Sequence, residues 1–174
     1  MHLTLETERL RLRPFRTDDA EAMFSRWASD DEVTKYLTWP THTDVEQTRA
    51  LLARWVEEYK KPERLNFAIE LKEEGGRLIG GIDVVKYLEG VPVIGYNLSR
   101  AYWGRGIMTE ACRRVLGYLF SQGFAAVKID AMVENAASNR VIQKCRGELI
   151  RTEADYQPLK GRTVAVNRYI VKAK

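Results

Sequence analysis

Cysteine and histidine are scarce: Cys112, Cys145, His2 and His42 are all that 174 residues hold. Two thiols with no histidine close in sequence do not make a zinc site, nor do they form the disulfide framework of a stapled miniprotein. Both cysteines sit among apolar and basic neighbours, so buried reduced thiols are expected. Long apolar runs are missing as well. The longest, Val115 to Phe120, falls far short of the ~20 residues that span a bilayer. The N-terminal stretch through Phe15 alternates charge with leucine and has no signal-peptide core. Linkers, repeats and low-complexity tracts are lacking, so one domain over residues 1–174 is expected, in the cytoplasm and off the membrane. There is little excess of charge: 28 Lys and Arg oppose 24 Asp and Glu. That balance is too mild and too evenly spread to make a nucleic acid the main ligand. Arg9, Arg11 and Arg13 form a basic row, but their alternation with Leu10 and Leu12 reads as the solvent face of a strand.

What is present is an ordinary globular composition, 45% hydrophobic and 30% charged. Arg9 to Phe15 reads as a first strand. Thr17, Asp18 and Asp19 then offer helix caps before Ala20, Met23, Phe24 and Trp27, which repeat at helical spacing. Thr43 and Glu46 form a capping box for a second helix with Leu52, Trp55, Val56 and Tyr59 on its apolar face. Between the helices lies a loop rich in rings, Tyr36 to Pro40. Leu65–Leu71, Arg77–Leu88 and Val91–Ser99 are strand-like runs separated by Gly75-Gly76 and Glu89-Gly90, which makes them an antiparallel meander. Thr109–Ser121 is a helix closed by Gly123. Val127–Val133 is a strand, Ala137–Cys145 a short helix, and Leu149–Tyr156 with Thr163–Val171 a hairpin around Pro158 and Gly161. The fold class is α/β, with a mixed, mostly antiparallel central sheet and helices on both faces.

The most informative stretch is Arg100 to Ala111, where a strand ends, Gly104 and Gly106 follow, and a helix begins. Glycines there let backbone amides converge, and a helix N-terminus adds about half a positive charge. The pattern suits a phosphate or pyrophosphate, with Arg100, Arg105, Arg113 and Arg114 nearby. A dinucleotide fingerprint would need glycine where Thr109 stands and a strand leading directly into the turn within a βαβ unit, although Asp130 is suitably spaced. The Walker pattern fails because no Gly-Lys-Ser/Thr occurs. A turn with glycines for geometry alone is the remaining reading of the motif.

In context, the Gly-x-Gly turn follows a meander and precedes a strand–helix pair, and this resembles the GNAT family of N-acetyltransferases. The chain is most similar to the branch containing the ribosomal-protein N-terminal acetyltransferases. The matching pieces run in order: Leu5 to Arg13, Ile94 to Leu98, Tyr102 to Ala111, and Asn135 to Arg140. The resemblance implies a GNAT fold and acetyl-coenzyme A as cofactor. Backbone amides of Trp103, Gly104, Arg105, Gly106 and Ile107 would hold its pyrophosphate. Asn97, Leu98 and Ser99 would pair with the pantetheine arm, admitted by a splay between Val91–Ser99 and Val127–Val133. Asn135 would fix that arm, Ser138 would lie at the sulfur as candidate general acid, and Asn139 and Arg140 would sit near the nucleotide.

Amine attack on a thioester needs a neutral amine, a polarised carbonyl and a stabilised leaving sulfur. A thiol pKa of roughly 8.5 makes the leaving group good, so positioning supplies much of the rate. Departures from the family pattern matter. Ile142 stands where many members carry a tyrosine acid, and Val93 where relatives often place glutamate. Ala101 replaces the usual Gln/Arg at the start of the phosphate loop, and Arg146-Gly147 replaces the usual Gly-Phe. Asp83, Glu70 and Glu110 are the candidate replacement bases. Tyr36, Trp39 and His42, with Asp83, are the candidate acceptor-site residues. The expected activity is acetyl transfer to a primary amine in a ternary complex, with a protein or peptide N-terminus as first acceptor. A small amine (amino acid, polyamine or antibiotic) is the alternative, and a non-catalytic acyl-coenzyme A-binding domain stays open. A monomer or a homodimer is compatible with the sequence.

Overall fold

The computed structural model describes residues 3–174; His2 lies outside the described residues. Eight strands form one sheet in the order β1-β2-β3-β4-β5-β6-β8-β7. They are β1 (Leu5–Glu6), β2 (Leu10–Pro14), β3 (Asn66–Leu71), β4 (Arg77–Leu88), β5 (Val91–Leu98), β6 (Ala126–Met132), β7 (Glu148–Gln157) and β8 (Arg162–Lys172). Every neighbouring pair is antiparallel except β5–β6. The meander arises where its turn chemistry lies: Glu89 and Gly90 both take positive φ, 52° and 80°, the pairing that lets a two-residue hairpin match strand twist.

The helices are α1 (Ala20–Met23), which runs on into a π-helical turn over Phe24–Ala28, α2 (Asp31–Thr34), α3 (Val45–Glu58), α4 (Ile107–Ser121) and α5 (Ala136–Lys144). The first helix is thus shorter and less regular than its periodicity suggests, because the π turn widens it around Trp27. The second starts one residue later than expected. Asp44, not Thr43, is the cap; its carboxylate accepts the Glu46 amide at 2.8 Å, and Gln47 reaches back to the Asp44 amide. Gly123, at φ 92°, closes α4 as expected.

Helices cover both faces and divide the core in two. On one face α4 and α5 pack Ile107, Ala111, Val115, Leu119 and Ile142 against β-strand residues such as Leu12, Ile69 and Ile129. On the other, α1, the π turn and α3 bury Met23, Trp27 and Leu52 against Phe15, Ala68 and Leu78. Arg13 belongs to this interior and not to the solvent. Its guanidinium makes a bidentate pair with Asp19, both contacts at 2.8 Å, and meets Glu70 at 2.6 Å. Strand alternation cannot register such partners. Removing one member of a buried ion cluster typically costs roughly 3–5 kcal/mol, since the others lose their compensation.

The cysteines are free and buried, Cys112 on α4 and Cys145 just beyond α5. Arg146 takes φ 66°, the conformation a glycine would usually supply at a helix end. Glycine instead follows at 147, where a Cβ would lie 2.3 Å from Ile142 Cγ2. No helix of the described residues is long and apolar enough to cross a membrane.

Candidate active site

β5 and β6 are reached through the α4 crossover and pair in parallel at only two positions, Val93 with Lys128 and Ile94 with Ile129. Beyond Ile94 they diverge, giving the expected splay. A cavity of about 660 Å³ occupies it, bounded by the Trp103–Ile107 turn, the start of α5 and the Tyr36–Trp39 segment.

One wall is main chain. Gly104 and Gly106 both take φ 72°, and Gly106 caps α4 in the left-handed region. Gly104 faces open space. Trp103 spends its amide on the Arg100 carbonyl at 3.1 Å, so it is not among the donors expected for a pyrophosphate, and the next amide to find a carbonyl is Glu110, on Gly106 at 3.1 Å. The amides from Gly104 to Met108 have no protein acceptor among the described residues, so an anion at the helix N-terminus has donors ready. The turn is braced from behind by Arg9, whose guanidinium donates to the Arg105 carbonyl at 3.0 Å and to Glu110 at 2.6 Å. Trp103 braces it from the front, its indole donating to the Leu98 carbonyl at 2.8 Å.

α5 supplies the next part. Asn135 is its N-cap, the side-chain oxygen accepting the Ser138 amide at 3.1 Å. Ser138 is half-buried and lines the cavity, and its hydroxyl lies 2.9 Å from the phenol of Tyr96 on β5. Asn97 also lines the cavity, and its Oδ1 is buried without a partner among the described residues.

The opposite end is side chain. Asp83 on β4 lies across from Gly95 on β5. A Cβ at 95 would come 2.9 Å from Val85 Cγ1 and 3.7 Å from Asp83 Oδ1, so glycine there leaves the carboxylate open to the cavity. Burial pushes the Asp83 carboxyl up to about 6, against the pull of the Arg64 guanidinium 3.3 Å away. Tyr36 and Trp39 line this end. The segment carrying them is latched by the β7–β8 hairpin tip: Lys160 donates to the Thr34 carbonyl and Arg162 to that of Lys35, each at 2.6 Å.

Several expected site residues fall elsewhere. His42 does not line the cavity. Its ring packs on Trp39 with centroids 4.8 Å apart, Nδ1 lies 2.7 Å from the Thr48 hydroxyl, and burial lowers its pKa. Asn139 is committed internally, donating to Met132 and Asn135 carbonyls and accepting from Asn167 and Tyr169. The Ser99 amide is bonded to Ile79 at 2.8 Å, toward β4 and away from the splay. The Arg105 side chain turns out to Glu73 at 3.0 Å. Of the alternative bases, Glu70 is held by Arg13, and Glu110 accepts from Thr7 and Arg9. Partial burial raises Glu110, but those donors outweigh it and leave it below the usual carboxylate value. Ile142, at the expected tyrosine position, is fully buried. Tyr96 is the residue that sequence reasoning passed over.

Known proteins match this arrangement. The family model described as "Acetyltransferase (GNAT) domain" matches residues 9–148. The chain therefore belongs to the GNAT family and is an N-acetyltransferase. It is 33% identical over 170 residues to the uncharacterized N-acetyltransferase p20 of Bacillus licheniformis, covering 94% of this chain and 92% of the relative. Among solved structures it is similar to RimL, the ribosomal L7/L12 alpha-N-protein acetyltransferase in complex with coenzyme A. The TM-score is 0.85 at 20% identity, covering 98% of each chain. It is also similar to the microcin C7 self-immunity acetyltransferase MccE in complex with acetyl-CoA and AMP, with TM-score 0.83, 18% identity and coverage of 96% and 94%.

Proposed function

We propose that the protein transfers acetyl from acetyl-coenzyme A to the free N-terminal amine of a protein or peptide, with Asp83 as the base. The observation that carries this reading is the single cleft joining the glycine turn to Asp83. Bound acetyl-coenzyme A would supply an activated acyl thioester. The unpaired amides from Gly104 to Ile107 fit its pyrophosphate, and the splay beside Asn97 and Leu98 fits its pantetheine arm, with Asn135 at the near side. Arg140 and Lys144, on one face of α5, and Arg113 on α4 would serve its charged nucleotide end.

Asp83, ionised above pH about 6, takes the proton that the amine must lose. Its moderate basicity favours one kind of acceptor. An α-amine has a pKa of roughly 7.7–8.0 and is partly neutral at pH 7, whereas a lysine amine near 10.4 is almost wholly charged. A weak base in a partly dry cleft suits the former. Ser138 offers its hydroxyl to the departing sulfur, where charge develops. The RimL-type neighbour points the same way, because its name states an alpha-N-protein substrate.

Transfer to a small amine is the second reading, for which Glu32, Asp130 and Asp155 reach the cavity lining, the first paired with Lys35 and the other two sharing Arg168. Both are tested by calorimetric titration with acetyl-coenzyme A, with NADH as control, followed by thiol release with unblocked peptides, amino acids and polyamines. Micromolar binding of acetyl-coenzyme A alone, and turnover with peptides, is the expected result. Turnover only with small amines would establish the second reading, and binding without any turnover would leave an acyl-coenzyme A-binding domain.

A further inference from the structure

Tyr96 is a polar residue on an apolar face. β5 alternates, and Tyr96 shares its side with Ile94 and Leu98, packed against the core beneath α4 and α5. A phenol drawn into an apolar face needs a hydrogen-bond partner, and among the described residues half-buried Tyr96 reaches Ser138, with its Oγ at 2.9 Å and its carbonyl at 3.3 Å. The two hydroxyls carry one proton each, so two arrangements exist. Either the phenol donates to the Ser138 carbonyl and receives the serine proton, or it donates to Ser138 Oγ and leaves the serine O–H free. The usual O–H···O range ends near ~3.0 Å. The Oγ contact lies inside it and the carbonyl contact beyond it, and we take the second arrangement, in which the phenol makes the shorter of its two donations.

We infer that Tyr96 is a positioning residue that holds Ser138 with its hydroxyl proton directed into the cleft, making the pair a fixed donor for the leaving sulfur. The inference rests on the acetyl-coenzyme A reading of the cleft. The Ser138 backbone is already set by Asn135 at 3.1 Å; without Tyr96 its side chain would still rotate. Donation from the phenol also polarises the serine O–H and strengthens its bond to an anion. No proton leaves either hydroxyl. When the C–S bond breaks the electron pair stays on sulfur, the amine proton goes to Asp83, and water protonates the thiolate after release. Tyr96 is suited to this passive part. Burial, then the neighbouring Cys112, raises its pKa far above the ordinary phenol; the Ser138 hydrogen bond pulls it down, and Cys145 and Tyr169 push it up, with burial prevailing. It therefore remains a donor throughout the working pH range.

The test needs no acceptor. Coenzyme A bound to the protein is titrated by thiolate absorbance near ~240 nm, with ligand-free protein subtracted to remove Cys112 and Cys145. In the wild type the bound thiol should ionise about one unit below free coenzyme A, which titrates near ~8.5. Tyr96→Phe, Ser138→Ala and the double variant should all lose that shift, the double no more than Ser138→Ala. With an active peptide acceptor, Tyr96→Phe should lower kcat about tenfold and leave coenzyme A affinity within about twofold, a split that a merely structural role does not produce. An unaltered thiol titration in Tyr96→Phe, or additive losses in the double variant, overturns the inference. Failure of the wild type to bind coenzyme A overturns the cofactor reading instead. Should Tyr96→Phe not fold, 3-fluorotyrosine at position 96, a stronger donor, should lower the bound thiol pKa further. An unchanged value there contradicts the proposal.

Discussion

The two walls of the cleft are built in different ways. The wall we propose for the cofactor is mostly main chain: left-handed Gly104 and Gly106, unpaired amides entering α4, and the open edge of β5 where β6 leaves it. Its geometry is set by φ angles within one continuous stretch, braced by the Arg9 and Trp103 side chains. The wall we propose for the acceptor is assembled from distant parts, with Asp83 from β4, Tyr36 and Trp39 from the segment after α2, and a latch from the β7–β8 hairpin. Backbone-built surfaces suit a ligand that stays the same, and side-chain-built surfaces can be retuned for a new acceptor without disturbing the first.

The sharpest separation of the walls should come from Asp83→Asn. Losing a general base typically costs 10²–10⁴-fold, so kcat should fall at least about 100-fold, with acetyl-coenzyme A affinity unchanged by calorimetry. The acidic limb of the rate profile near pH 6 should vanish. Stability should move the opposite way. The Asp83 pKa is raised from 3.8 to about 6 in the folded state, so the folded protein loses stability as pH rises across that interval and stays lower above it. A shift of this size is worth about 3 kcal/mol. Asparagine escapes that penalty, and the variant should melt at higher temperature than wild type at pH 8 but not at pH 4.

Gly104→Val addresses the other wall. A branched side chain at φ 72° is strained by about 1–2 kcal/mol and projects where the turn faces open space. Acetyl-coenzyme A affinity should drop about 100-fold in calorimetry while the protein still folds. A smaller effect is expected from the double change Lys160→Ala with Arg162→Ala. It frees the Thr34 and Lys35 carbonyls, so acceptor KM should rise several-fold in steady-state assays with cofactor affinity intact. The smallest belongs to His42→Gln. Because His42 faces Trp39 and Thr48 and does not line the cleft, the pH–rate profile should keep its acidic limb and kcat should stay within about threefold.

The same division governs what the sequence discloses. The glycine turn, the meander and the crossover helix are legible because each depends on residues adjacent in the chain: Glu89-Gly90 for the hairpin, Gly104 and Gly106 for the turn, Gly123 for the helix stop. Residues whose environment is made by tertiary contacts are poorly legible. Arg13 looks like a surface residue until Asp19 and Glu70 are seen around it, and His42 looks like an acceptor-site residue until its ring is found against Trp39 and Thr48. Glu110 looks like a candidate base until Thr7 and Arg9 are seen to hold it. Tyr96 carried a signal that alternation alone offers: a tyrosine on the same side as Ile94 and Leu98 must find a partner for its hydroxyl, and that partner proved to be Ser138.

The most direct test of the account is a competition within one molecule. A peptide with a free N-terminus and an internal lysine is incubated with the protein and acetyl-coenzyme A at pH 7, and the acetylated position is read by fragmentation mass spectrometry. The account predicts acetyl on the α-amine and none when the N-terminus is blocked. Acetyl on the lysine side chain with the α-amine untouched would contradict it.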